Sequence, residues 1–230
     1  MFLTRVTGAP LMTSSPATPR ARYREQVRAE VRTLALRQVA ETGAAGISLN
    51  AIAKQMGLSG PALYRYFTNR DELVTELISE AYRELAEIVR SAADSEDDPQ
   101  RRPAVVGRAV RGWALAQPHR YFLILGTPVP GYEAPPETVE VSRAVMTVFL
   151  DIFNALPSAS SRELDEHLAT HRVWTGGHEA SPAALRRALT FWTRLHGVIS
   201  LELAGQFTGM GFDPAVLFED ELATILAEGH

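Results

Sequence analysis

The segment from Ser48 to Leu73 reads SLNAIAKQMG, then LSGPALYRYF, then TNRDEL. It sets two helix starts and one helix stop so close together that a short helical hairpin is the economical way to satisfy all three. Ser48 offers an N-cap hydroxyl, and Ile52, Ala53 and Met56 share one face at helical spacing, which predicts an amphipathic helix over 49–56. Gly57 ends it, because glycine enters the left-handed C′ conformation without a Cβ clash. Ser59 is a second N-cap, and Pro61 lies in the first turn, where a missing N–H costs little. A second helix of about two turns therefore starts at Gly60.

On that second helix Leu63 and Phe67 are four apart and point toward Ile52, Met56 and Leu58. Tyr64, Arg65 and Tyr66 are left on the opposite side with nothing apolar to cover them. The helix opening presents the backbone amides of Gly60 and Ala62 beside the Ser59 hydroxyl, an arrangement that attracts a phosphate oxygen. A helix of this size, crossing its support at the small Ala53, fits a DNA major groove of roughly 12 Å.

Charge is distributed in the same sense. Up to Arg70 the chain carries ten basic residues against three acidic ones; from Asp71 onward it carries thirteen against twenty-four. The pI of about 5.9 thus hides a basic head on an acidic body. Arg20, Arg22, Arg24 and Arg28 crowd the start of a predicted helix, where the macrodipole disfavours cations, so a compensating anion is expected there. As a cluster beside the hairpin they read as phosphate contacts.

The run from Arg20 to Leu73 resembles the DNA-binding domain of TetR-type transcriptional regulators. The likeness is carried by a long first helix ending at Thr42-Gly43, the Ile52-Ala53 pair, Gly57-Leu58-Ser59, Tyr64-x-Tyr66-Phe67 and Arg70-x-x-Leu73. Ser48 stands where threonine is usual, Tyr66 where histidine is usual, and Arg70 where lysine is usual. The resemblance implies an all-helical homodimer with a helix-turn-helix near its N-terminus. It also implies that Ser48, Tyr64, Tyr66 and Arg70 hold phosphates, with Ser59 and Gly60 added by the geometry above, while Asn50, Pro61, Ala62 and Arg65 lie nearest the base edges. Asparagine can pair bidentately with adenine and arginine with guanine, and the apolar Pro61 and Ala62 suit thymine methyls.

The remaining residues suffice for a second helical domain. Apolar positions predict one helix from Arg70 to Arg90, a loop from Ser91 to Arg102, helices at about 103–116, 118–125, 137–155, 162–174, 182–206 and 214–228, and an irregular connection from Gly126 to Pro136. No alternating β-branched run forces a strand, so the fold class is all-α. The expected organisation is a disordered tail over 1–19, with Met1 and Met12 both candidate starts, a DNA-binding domain over 20–70, and a ligand-binding and dimerisation domain over 71–230.

Trp192-x-x-x-His196-Gly197, with Gln117-Pro118-His119-Arg120-Tyr121-Phe122 upstream, resembles the C-terminal domain of the WHG branch of these regulators. That likeness implies a helical effector domain whose last two long helices form the dimer interface, and Phe191, Leu195, Ile199, Leu203, Phe218, Leu222 and Ile225 are candidates for the seam, several of them facing their own core instead. Trp113, Tyr121, Phe122, Phe149, Phe153, Trp192 and His196 are candidates to line a cavity. The expected function is a dimeric repressor released from a palindromic DNA operator by a small, largely apolar effector, with no cofactor.

The alternative is a metal-responsive regulator or helical enzyme built on Asp165, His167 and His171, since histidines four apart share a helix face as zinc ligands do. Leu168 stands where a zinc hydrolase carries its glutamate, and no nucleophile elbow or phosphate-cradling glycine loop accompanies the cluster. The chain has no cysteine, so disulfides and thiolate metal sites are excluded. No apolar run approaches twenty residues, which removes a membrane span and predicts a cytoplasmic protein. Twenty-two arginines against one lysine suggest a GC-rich bacterial genome.

Overall fold

The computed structural model describes residues 18–157 and 162–227; most of the expected tail, and both candidate starts, lie outside these. Among the described residues all regular structure is helical: α1 (Pro19–Thr42), α2 (Leu49–Gln55), α3 (Gly60–Leu63), α4 (Arg70–Asp94), α5 (Arg102–Ala116), α6 (Pro118–Leu125), α7 (Pro136–Asn154), α8 (Glu163–Thr170), α9 (Pro182–Leu203) and α10 (Pro214–Ala227). The sequence explains the ends of α1. The Thr18 hydroxyl accepts from the Ala21 amide at 3.2 Å, Pro19 occupies the first turn, and Gly43 closes the helix with its amide bonded to the Val39 carbonyl.

Two apolar cores form. The first gathers Val31 and Ala35 of α1, Ile52 of α2, Leu63 and Phe67, and Leu73, Val74 and Leu77 of α4. The second gathers Leu85 and Val89 of α4 with Val110, Phe149, Phe153, Phe191 and Leu222 of the later helices. Helix α4 therefore belongs to both. So does α6, whose Leu123 packs into the first core and whose Tyr121 packs into the second.

Three helix ends depart from the sequence expectation for local reasons. Helix α4 runs past Arg90 to Asp94, because Ala92 and Ala93 are good helix formers that also pack on the second core. The stretch expected as a helix over 162–174 is instead α8 plus a 3₁₀ turn at Val173–Thr175; His171 Nδ1 and the Thr170 hydroxyl both turn back to the His167 carbonyl and close the helix. Helix α9 ends at Leu203 rather than 206. Gly205 is left-handed there, and the Gln206 amide bonds to Leu201 O while the Gly205 amide bonds to Glu202 O, a Schellman ending.

The expected dimer seam is also corrected. Phe191, Leu195, Ile199, Phe218, Leu222 and Ile225 are all buried in their own protomer's core, and Leu203 is half-buried against it. Helical periodicity marks an apolar face without saying which neighbour covers it.

Candidate nucleic-acid interface and effector cavities

The hairpin is built by its own caps. Ser48 is the N-cap of α2, its hydroxyl accepting from the Ala51 amide at 3.3 Å, while its own amide donates to Gln38 Oε1 of α1 at 2.9 Å. At the other end Gly57 has φ 66°, the Gly57 amide bonds to Lys54 O and the Leu58 amide to Ala53 O. This Schellman geometry turns the chain sharply from α2 to α3. Helix α3 is shorter than expected, one turn followed by tight turns to Phe67, with the Tyr66 amide on Leu63 O and the Phe67 amide on the same oxygen.

Leu63 and Phe67 are fully buried against Ile52, and Tyr64 is 47% exposed with Arg65 exposed beside it. Asn50 and Pro61 are exposed as well, and Asn50 Oδ1 approaches Gly60 so closely that a Cβ there would lie 3.5 Å from it. Asn50 of α2 and the start of α3 thus share one surface.

Several expected site residues are placed differently. Tyr66 is half-buried rather than outward, packed on the first core with the Arg24 guanidinium 5.9 Å from its ring centre. The Ser59 hydroxyl caps nothing in α3, and the Ala62 amide is not free, because it donates to Ser59 O at 2.9 Å. Arg70 is half-buried; its guanidinium donates to Ala44 O at 2.9 Å and pairs with Asp71 at 3.6 Å, so it also ties the 3₁₀ turn at Ala44–Gly46 to the start of α4.

Arg28 leaves the group of expected phosphate contacts. It donates to the Tyr66 carbonyl, pairs with Glu72 and Glu76, and lies 4.1 Å from the Phe67 ring centre. Arg32 is held likewise by Glu25 at 2.8 Å, by Glu76, and by Glu80 at 3.6 Å. These pairs join α1 to α4 and brace the end of the reading segment. Burial pushes the Glu72 carboxyl up, but the Thr68 amide, donating at 2.6 Å, and Arg28 outweigh it and hold the group below its ordinary value. Arg20, Arg22, Arg24, Arg37 and Lys54 remain exposed.

In the body, Trp192 and His196 stack with ring centres 5.7 Å apart, and the Tyr121 hydroxyl lies 2.6 Å from His196 Nδ1. Burial raises the tyrosine and lowers the histidine, which favours a protonated phenol beside a neutral imidazole. Trp113, Tyr121, Phe149 and Phe153 lie in the second core. Phe149 and Trp192 also line a cavity of about 220 Å³ together with Tyr82 and Arg143. Phe122 lines another, of about 350 Å³, between α6 and the end of α1. A third, of about 310 Å³, lies among α4, the end of α6, the 126–135 connection and α7, and sequence reasoning missed it because none of its walls is a cluster of large aromatics.

The metal reading loses its ligands. Asp165 is buried and paired with Arg186 at 2.7 Å, His167 and His171 stack with ring centres 4.0 Å apart, and no group of three His, Asp or Glu among the described residues is placed to hold an ion. No helix among them is long and apolar enough to cross a membrane.

Residues 32–77 match the domain described as bacterial regulatory proteins, tetR family, and residues 104–225 match the Tetracyclin repressor-like C-terminal domain. The HTH-type transcriptional regulator Rv1816 of Mycobacterium tuberculosis is 36% identical over 220 residues, spanning 89% of this chain and 94% of that protein. The crystal structure of a regulatory protein, SCO4313, is similar with a TM-score of 0.84 and 56% identity, over 91% of this chain and 100% of that one. A tetR-family regulatory protein from Rhodococcus RHA1 shares the fold at 17% identity, with a TM-score of 0.61 over 89% of this chain and 97% of that one. An exposed Tyr64-Arg65 surface on a helix-turn-helix, carried by an all-helical body whose sequence matches along nearly its whole length, leads to one conclusion: the chain belongs to the TetR family of DNA-binding transcriptional regulators.

Proposed function

We propose that the chain is a homodimeric repressor that two helix-turn-helix units, within residues 20–70, seat on a palindromic operator, and that a small effector bound in the 71–230 body releases it. In this reading Ser48, Ser59, Gly60, Tyr64, Tyr66 and Arg70 hold backbone phosphates, and Asn50, Pro61, Ala62 and Arg65 face base edges. The observation that carries it is the exposed surface of Asn50, Pro61, Tyr64 and Arg65, flanked by the exposed Arg24 while the neighbouring Arg28 and Arg32 are neutralised within the chain. Arg70 keeps its contact with Ala44 O and offers its remaining donors to a phosphate.

Dimerisation is assigned to α9 and α10, on their outer rather than their apolar inner faces. Thr193 and Leu201 are exposed on α9, Ala204 is exposed just past its end, and a Cβ at Gly197 would meet nothing within 4 Å. Val216 and Ala223 are exposed on α10. Small residues let two such helix pairs approach closely. The stacked Trp192-His196 pair followed by Gly197 supports placing the body in the WHG branch.

A dimer sets two reading helices about one DNA turn apart, roughly 34 to 36 Å. Because α4 belongs to both cores, an effector that tilts it changes that separation, and a coupling of about 1 to 3 kcal/mol lowers operator affinity roughly 5-fold to 150-fold. Selection from random duplexes tests the proposal. A palindrome with half-sites about one turn apart is expected; a pool without symmetry would overturn the dimeric reading.

A further inference from the structure

The cavity of about 350 Å³ between the end of α1 and α6 has a chemistry unlike that of the other two. On the α1 side it is walled by Val39, Ala40, Gly43 and Ala44, and on the α6 side by His119, Phe122 and Leu123. Val39 and Leu123 are buried in the first core, Phe122 is half-buried, and Ala40 and His119 are exposed at the rim. The side chains therefore present one aromatic face, small apolar groups and a single imidazole, with no carboxylate or guanidinium among them.

The α1 wall is also a helix end. The Gly43 amide takes the Val39 carbonyl, but the carbonyls of Ala40, Glu41 and Thr42 accept no hydrogen bond among the described residues. A helix directs its last carbonyls along its axis and carries a partial negative charge there. Helix α1 brings no basic residue to its last turn and adds Glu41 instead, so its own side chains do not neutralise this end. Arg70 reaches only the next carbonyl, that of Ala44, at 2.9 Å. The same segment supports the reading unit from behind: Gln38 holds the Ser48 amide, and Ala44 O holds Arg70.

We propose that this cavity is a second ligand site, separate from any effector site in the body, and that it takes a small aromatic amine. The ring lies against Phe122, and the ammonium donates to the open carbonyls at the end of α1. Occupancy presses on the turn at Ala44–Gly46 and so disturbs the anchor of Arg70. That consequence, unlike binding itself, rests on the reading of Arg70 as a DNA contact.

Calorimetry on the full chain without DNA, using 1-naphthylmethylamine, 1-naphthalenemethanol and 1-naphthoate, tests the site. One amine per chain is expected, with the alcohol about fivefold weaker for lack of charge and the carboxylate not bound. Ala40→Lys supplies the missing cation from the helix itself. At this exposed position it should raise the melting temperature and remove the amine's advantage over the alcohol, whereas Ala40→Met, similar in bulk and uncharged, should keep that advantage. Ser142→Trp, at a position that lines both other cavities, should leave the amine's affinity unchanged; if that variant unfolds, the Ala40 pair decides alone. No saturable amine binding, a carboxylate bound as tightly, an advantage that survives Ala40→Lys, or binding lost in folded Ser142→Trp would each overturn the assignment. With a selected operator present, the amine should weaken DNA binding by the wild type and not by Ala40→Lys. An unchanged DNA affinity with the amine bound would sever the site from the reading unit, and amine binding without any selected operator would sink DNA recognition and leave the site.

Discussion

At the scale of single residues, the proposed DNA-facing surface rests on a few side chains left out of the core. Arg65 is exposed in the turn after α3 and forms no bridge to an acid among the described residues, whereas Arg28 on α1 is consumed by Glu72, Glu76 and the Tyr66 carbonyl. Replacing Arg65 by alanine should relax the operator at one base pair in each half-site, by about 1 to 3 kcal/mol, with little loss on unrelated DNA; selection with the variant checks this. A uniform drop over all sequences would instead make Arg65 a phosphate contact. Much at this scale was legible because it is local: Ser48, Gly57 and the inward Leu63 and Phe67 announce themselves within a few positions. The fates of Arg28 and Arg32 were not, since the carboxylates that join them to α4 lie more than forty residues away and no spacing rule connects them.

At the scale of elements, α4 begins with an unusually complete cap. Asn69 Oδ1 accepts from the Glu72 amide at 2.8 Å while the Glu72 carboxylate accepts from the Thr68 amide, so an orphan amide of the first turn and the amide just before the cap are both satisfied. Asn69→Ala should cost about 1 kcal/mol in urea unfolding. Because the folded state holds the Glu72 carboxyl below its ordinary value of 4.5, its contribution is full above that value and fades as pH falls through the lower folded one. Melting of wild type and Glu72→Gln should therefore differ near neutrality and converge in acid; a gap that persists unchanged well below pH 4.5 would assign the effect to packing instead. Helix placement along the chain was readable from apolar spacing and caps, down to α6 and α10. The ends of α4 and α9 were not, where alanines prolong one helix and Gly205 stops the other early.

At the scale of the whole molecule, two cores share α4 and α6, so the reading unit and the body are mechanically continuous. Periodicity found the body's apolar faces but not their neighbours, which is why the expected seam residues proved to be core. Gly197→Trp, placing a large ring where a Cβ meets open space, should leave the protomer folded and shift light scattering from dimer to monomer; an unchanged mass would move the interface elsewhere. The central claim, that exposed cations flanking Tyr64 and Tyr66 face DNA while the half-buried, acid-paired ones brace the fold, is tested most directly by the salt dependence of DNA binding. Each neutralised phosphate contributes about 0.9 to the slope of log K against log salt, so Arg24→Gln should flatten it by about 1.8 in a dimer. Arg32→Gln, removing a cation already paired with Glu25 and Glu76, should leave the slope unchanged. A slope untouched by Arg24→Gln, or flattened as much by Arg32→Gln, would contradict the account.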